Sequence, residues 1–194
     1  NKLVPADIII IAGSVHDRYL SSAWKQFFDR SFFKGHTPGL GGKQIGFVIA
    51  GPVSQIPCLK EALAAWADNG RCHAHLVTDE VQESGELDAL LDTMAGRLMQ
   101  GAETGYIPPH TFYAIGGHKI FRDNIYRGMR FVFQADYRYY CEHGMFDFPQ
   151  ADLKTRLLNA IFIPLTRIPG FRKKVFADMK HRMIKPFGPV LRNA

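Results

Sequence analysis

At 194 residues, with 46% hydrophobic side chains and a net charge of +6, the chain has the size and apolar content of one ordinary domain, or of one domain plus an extension. No run approaches the roughly 18 apolar residues of a membrane span, and the first residues lack a charged region leading into a signal-peptide cleavage site. The three scattered cysteines, Cys58, Cys72 and Cys141, exclude a disulfide framework and any CxxC-based zinc or iron–sulfur site built from this chain alone, and they suit a reducing cytoplasm.

The positive charge is unevenly spread. Residues 1–100 carry 9 basic and 11 acidic side chains, residues 101–150 carry 5 of each, and residues 151–194 carry 10 basic against 2 acidic. The excess therefore belongs to the tail and bears on what the tail touches.

In chain order, "DIIIIAG" (residues 7–13) reads as a strand buried on both faces, of the kind found in a helix-covered parallel sheet. A helix follows from Ser21 or Ser22 to about Phe33, with Trp24, Phe27, Phe28 and Ser31 as its inward stripe. "KGHTPGLGGK" is a loop, and its Gly-Leu-Gly-Gly-Lys lacks the spacing and the following Ser/Thr of a phosphate loop. "QIGFVIAG" is a second buried strand ending in the small-residue turn Ala50-Gly51-Pro52. Residues 56–70 form a helix with Pro57 in the first turn and Asn69-Gly70 at its end. "CHAHLVTD" is a third strand, and residues 84–101 a helix with Leu87, Leu90, Leu91, Met94 and Leu98 inward.

That alternation means a parallel sheet with right-handed crossovers. Ligands of such sheets lie beyond the carboxyl ends of the strands. The turns after Gly13 and at Gly51 both belong on that edge. Beyond residue 105 the pattern changes. Residues 107–123 read as turn-rich, residues 124–146 as one aromatic helix, and the tail as basic helix interrupted by Pro164, Pro169, Pro186 and Pro189. The expected division is 1–105 for the α/β part and 106–194 for a helical, basic extension.

The stretch "ADIIIIAGSVHDRYLSSAWKQFFDR" resembles the third strand, flavin loop and following helix of flavodoxin-like NAD(P)H-dependent FMN oxidoreductases, through Gly13, Ser14, Ser21 or Ser22, Lys25, Phe28, Asp29 and Arg30. "GGKQIGFVIAG" and "CLKEALAAWADNG" look like that family's next strand and helix, and the resemblance covers roughly residues 3–100. It implies a doubly wound flavodoxin-like sheet whose first two strands and FMN-phosphate loop are missing from this stretch of chain. An upstream part of the polypeptide or another subunit would supply them, and an uncovered apolar edge strand would otherwise be an aggregation hazard. Two departures stand out: the family's Pro-Tyr is Val15-His16 here, and its glycine-rich second loop is Gly51-Pro52-Val53-Ser54.

By this resemblance the cofactor is FMN and the co-substrate NAD(P)H, with a quinone, another small molecule or a protein as acceptor. Ser14, Val15, His16 and Tyr19 in one loop, with Gly51, Pro52, Val53 and Ser54 in the other, would contact the ring. His16 and Tyr19 are the candidate catalytic side chains, since a histidine can move a proton near neutrality. Two alternatives stay open: a flavin-free, flavodoxin-like scaffold subunit, and an electron-shuttle flavoprotein without a nicotinamide pocket.

His73 and His75 share one strand face, but no third ligand follows, so no metal site is expected. Arg122, Tyr126 and Arg130 stand at i+4 steps, with Arg127 and Arg138 nearby and Asp123 placed to pair with Arg127. The tail should bury Leu157, Leu158, Ile161, Phe162 and Ile163 against protein while Arg172, Lys173, Lys174, Lys180 and Arg182 face solvent or an acidic surface. A subunit arm in a homo-oligomer, or an acidic partner, ranks first, an anionic membrane surface second, and nucleic acid last.

Overall fold

The computed structural model describes residues 3–31, 35–81, 83–146, 153–185 and 188, without the side chains of residues 155, 180 and 182–184. The chain forms two compact units, Asn1–Ile120 and Phe121–Ala194.

The first unit is α/β. Strands β1 (Ile8–His16), β3 (Gln44–Ala50) and β4 (His73–Thr78) run parallel, and the two-residue β2 (Tyr19–Leu20) lies antiparallel on the outer side of β1, in the order β2-β1-β3-β4. Ile8 stands opposite Gln44 and Ser14 opposite Ala50, while Gln44 and Ile49 stand opposite His73 and Thr78. Helix α1 (Ser22–Ser31) leads from β2 towards β3, α2 (Pro57–Gly70) joins β3 to β4, and α3 (Ser84–Thr104) follows β4. One sheet face buries Ile9, Ile11, Ile45, Phe47 and Ile49 with Leu59, Leu63 and Ala67 of α2, and Trp24, Phe27 and Phe28 of α1 pack against that core. The other face buries Val77 with Met94 and Leu98 of α3, backed by Ile8, Val48, Leu87 and Leu91. Helices cover both faces, which is why the strands read as near-continuous apolar runs. The inward stripe of α1 is as its spacing predicts, and Trp66 Nε1 donates to Ser31 Oγ at 3.3 Å.

Several expectations need correction. Strand β1 does not stop at Gly13. It runs to His16 and turns back through Asp17 and Arg18, both at positive φ (46° and 64°), so residues 14–19 are a hairpin rather than an open loop. Two central residues at positive φ make a turn whose twist matches the strands, and Leu20, buried to 4% exposure, anchors the return. Burial on both faces fails at Ile10, which is 54% exposed, because α3 packs mainly over β3 and β4 and leaves β1 at the margin of its cover. Among the described residues, positions 8–14 of β1 pair with β3 alone. Leu90 is also exposed rather than inward. The expected end of α1 near Phe33 lies outside the described residues.

The turn-rich reading of residues 107–123 gives way to helix α4 (Phe112–Asn124). Its start is capped from a distance: the Asp68 carboxylate accepts from the Thr111 N–H (3.1 Å), the Thr111 hydroxyl and the Ala114 N–H (2.8 Å). A carboxylate at a helix N-terminus satisfies orphan amides and faces the positive end of the helix dipole.

In the second unit, the single aromatic helix expected over 124–146 is instead a π-helical turn, Ile125–Met129, a break at Phe133, and α5 (Gln134–Glu142). The Gln134 side-chain amide donates to the Phe131 carbonyl at 3.0 Å, supplying a partner that a continuing helix would have drawn from the next turn. Helices α6 (Leu153–Leu165) and α7 (Pro169–Ile184) follow, with Pro164 inside the last turn of the first and Pro169 opening the second. Phe162 stacks between Phe131 and Phe171, with centroids at 5.2 and 6.1 Å. Phe162 and Ile163 are half-buried, while Leu157, Leu158 and Ile161 are exposed in this chain. Arg172, Lys173 and Lys174 face solvent as expected; the side chains of Lys180 and Arg182, and both Pro186 and Pro189, lie outside the described residues. No helix among the described residues is long and apolar enough to cross a membrane.

Candidate functional site

The carboxyl edge of β1 and β3 gathers the predicted site residues, though not as two open loops around a slot. Ser14 and His16 share the solvent side of β1, and Ser14 Oγ lies 2.9 Å from His16 Nε2. Val15 points the other way into the core, resting on Gly51. Gly51 has φ of 120°, and a Cβ there would stand 2.9 Å from Val15 Cβ, so both backbone and contact require glycine. The two turns therefore touch. Tyr19 pairs with His16 across the hairpin but lines a cavity of about 400 Å³ with Phe27, Phe28, Leu63 and Trp66, between α1 and α2.

Gly13 has a different job from the one its position suggests. A Cβ built on it would overlap Trp24 Nε1 and stand 3.1 Å from Trp24 Cδ1. The body that approaches this backbone is the indole of α1.

The second turn has spent its donors. The Gly51 N–H donates to Asp79 Oδ1 at 2.6 Å, the Ser54 N–H to Glu80 Oε2 at 3.1 Å, and the Ser54 hydroxyl to Glu80 Oε1. The Ser54 hydroxyl, then its N–H, hold the Glu80 carboxyl below the usual carboxylate range. Pro52 has no N–H, and Val53 is buried at 1% exposure as the start of a 3-10 turn, Val53–Gln55. A flavin ring placed at this edge would meet exposed polar side chains on one side only. Exposed Ser14 and His16 on the β1–β2 hairpin are suited to its polar rim, while the donors of residues 51–54 are engaged by Asp79 and Glu80. Sequence reasoning missed these two acids; the only local signal was Thr-Asp-Glu standing at the end of a parallel strand.

Other predicted residues sort into structural roles. Lys43 Nζ donates to the Val4 and Ala6 carbonyls at 2.7 and 2.6 Å, so the glycine-rich loop ends in a tether. Asp123 pairs with Arg122, whose Nε lies 3.1 Å from Oδ1. Arg122 also donates to the Met145 carbonyl, and Arg130 lies 3.8 Å over the Tyr137 ring. Among the described residues no three His, Cys, Asp or Glu side chains converge on a possible metal.

No known family matches this sequence, and no curated protein matches it.

Proposed function

We propose that this chain is part of a flavodoxin-like, FMN-dependent oxidoreductase that passes hydride or electrons from NAD(P)H to a quinone, another small molecule or a protein acceptor. What supports it is one arrangement: the exposed Ser14–His16 pair at the carboxyl edge of a parallel strand, with the Gly51 turn packed directly behind it. Bound FMN supplies the hydride and electron chemistry. In this reading the Ser14 hydroxyl and His16 imidazole orient the polar rim of the ring, His16 holds or releases a proton there, and Val15 on Gly51 keeps the wall rigid. Among the described residues the outer edge of residues 8–13 is unpaired and Ile10 is exposed, and in this reading further strands cover that edge. The absorption spectrum of the purified full-length protein tests this. Visible flavin bands that bleach with NADH or NADPH support it; a colourless protein that does not take up added FMN sinks it.

A second reading, a flavin-free scaffold subunit, is favoured by Asp79 and Glu80 occupying the donors of the second turn. It predicts that the protein stays colourless while still assembling with a partner.

A further inference from the structure

At the opposite, amino end of β4, His73 and His75 project towards α3, their rings edge-to-face with centroids 4.4 Å apart. With Arg97, Gln100, Thr104 and Tyr106 they line a cavity of about 450 Å³. Arg97, Gly101 and Thr104 follow one face of α3 at i, i+4 and i+7.

The hydrogen bonding fixes which nitrogens are free. Gln44, fully buried, donates its amide to the Gly42 and Tyr106 carbonyls at 3.2 and 3.1 Å, which identifies its nitrogen end. Its Oε1 must then accept, so His73 Nδ1, 2.8 Å away, carries the proton. A neutral His73 therefore leaves Nε2 as a lone pair. Gly101 is a glycine because a Cβ there would collide with the Gln44 carboxamide, at 2.6 Å from Cδ. His75 Nε2 is buried with no partner, and Arg97, exposed, makes no hydrogen bond or ion pair among the described residues. Its helical neighbours Thr93, Met94, Gln100 and Gly101 carry no acid to neutralise it.

We infer that this pocket is an oxyanion site for a phosphomonoester, with Arg97 as the fixed cation and His73 and His75 as donors that become charged when the anion arrives. A divalent metal would meet the same two imidazoles but also the Arg97 charge, and would find no carboxylate. Burial first, then Arg97, hold His73 below its ordinary value; for His75 the order is burial, His73, Arg97. An added dianion cancels the repulsion, so binding draws in a proton. The site lies at the other end of the sheet from the Ser14–His16 edge and stands independently of the flavin reading.

The test follows the histidine Cε1–H signals by NMR during pH titration, with inorganic phosphate and with sulfate as probes. Sulfate does not titrate in this range, so its pH dependence reports the imidazoles. We expect saturating sulfate to raise both midpoints by about one unit, and sulfate to bind about tenfold tighter at pH 6 than at pH 8. Arg97→Gln, on an exposed position, should keep the fold and lose at least about tenfold in affinity. His75→Gln should weaken the pH dependence while Arg97 still binds. Glycerol phosphate competing in solution assigns a free ligand; capture by phosphatidic acid vesicles, lost in Arg97→Gln, assigns a headgroup. Midpoints no higher than in chloride of equal ionic strength would overturn the proposal. So would equal anion affinity in Arg97→Gln, or Zn²⁺ binding to both histidines in preference to any anion.

Discussion

Replacing Gly13 by alanine should destabilise the first unit, because the added methyl lands on the Trp24 indole. The backbone at Gly13 is ordinary strand, so no conformational strain arises, and the cost is all overpacking. Trp24 cannot easily yield: its ring meets Phe27 at 5.7 Å and Phe28 at 6.1 Å, and those rings meet Trp66. Overpacking costs about 1–3 kcal/mol, and a Cβ that overlaps Trp24 Nε1, on a ring so hemmed in, belongs to the upper part, about 2–3 kcal/mol. The lower unfolded-state entropy of alanine offsets about 0.4–1 kcal/mol, leaving a net loss of about 1–2 kcal/mol. That corresponds to a fall in Tm of about 4–8 °C for a unit of this size. Urea unfolding followed by tryptophan fluorescence reads the change, with Trp24→Phe completing a double-mutant cycle. The two substitutions should couple by about 1 kcal/mol, since a phenyl ring leaves room for the methyl. Strict additivity, or a Gly13→Ala protein as stable as the parent, would refute the packing role. Loss of flavin without loss of stability would return Gly13 to the ligand.

Asp68→Ala removes the cap of α4 and should cost about 1–2 kcal/mol, with hydrogen exchange quickening first at the amides of Thr111 and Ala114; unchanged protection there would dismiss the cap. Stability should also fall in mild acid. Buried His118, with His110 5.3 Å away, is held below its ordinary value by burial and then by His110, while Asp68 and the Asn69 carbonyl oppose the shift; His110 is lowered by burial and then by Arg71. The unfolded chain then binds more protons, so stability is intact above about pH 6.5 and declines below it. Urea midpoints measured from pH 8 to pH 5 check the sign, and His118→Gln should flatten the curve. Burial pushes the Cys72 thiol up to about 12, whereas Cys58 and Cys141 are exposed. A thiol reagent at pH 8 should therefore modify two cysteines quickly in the native protein and the third only on unfolding.

What the sequence disclosed follows from where the information is stored. The apolar runs 8–11 and 45–49 and the Trp24, Phe27, Phe28 stripe are local periodicities, and they set the parallel strands and the inner face of α1 correctly. The hairpin escaped because Asp17-Arg18 is not a usual pair for positive φ; the buried Leu20 holds it from outside the turn. Helix α4 escaped because its cap, Asp68, stands 43 residues before Thr111. Helix α2 ends at Gly70 as its Asn-Gly signal predicts, but the left-handed cap beyond it is Arg71, whose φ of 59° is an arginine in a conformation that favours glycine. At the candidate site, the placement of Ser14, His16 and Gly51 at the carboxyl edge of the sheet was legible, but that Ser14 and His16 stand in the strand itself was not. That Asp79 and Glu80 would take the donors of residues 51–54 was not, since it depends on the register that sets the end of β4 beside the end of β3. The pairing of His73 with Gln44 was hidden in the same way, by register across two strands.

The most direct measurement of the central claim is a titration of FMN into the ¹⁵N-labelled full-length protein, read residue by residue. If the flavin ring lies at the carboxyl edge, the amides of Ser14, Val15, His16 and Gly51 shift first and saturably, and Ser14→Ala with His16→Ala weakens binding without unfolding the protein. If those amides stay still, or if only the residues around His73 and Arg97 respond to the phosphate of FMN, the edge holds no flavin and the oxidoreductase reading fails.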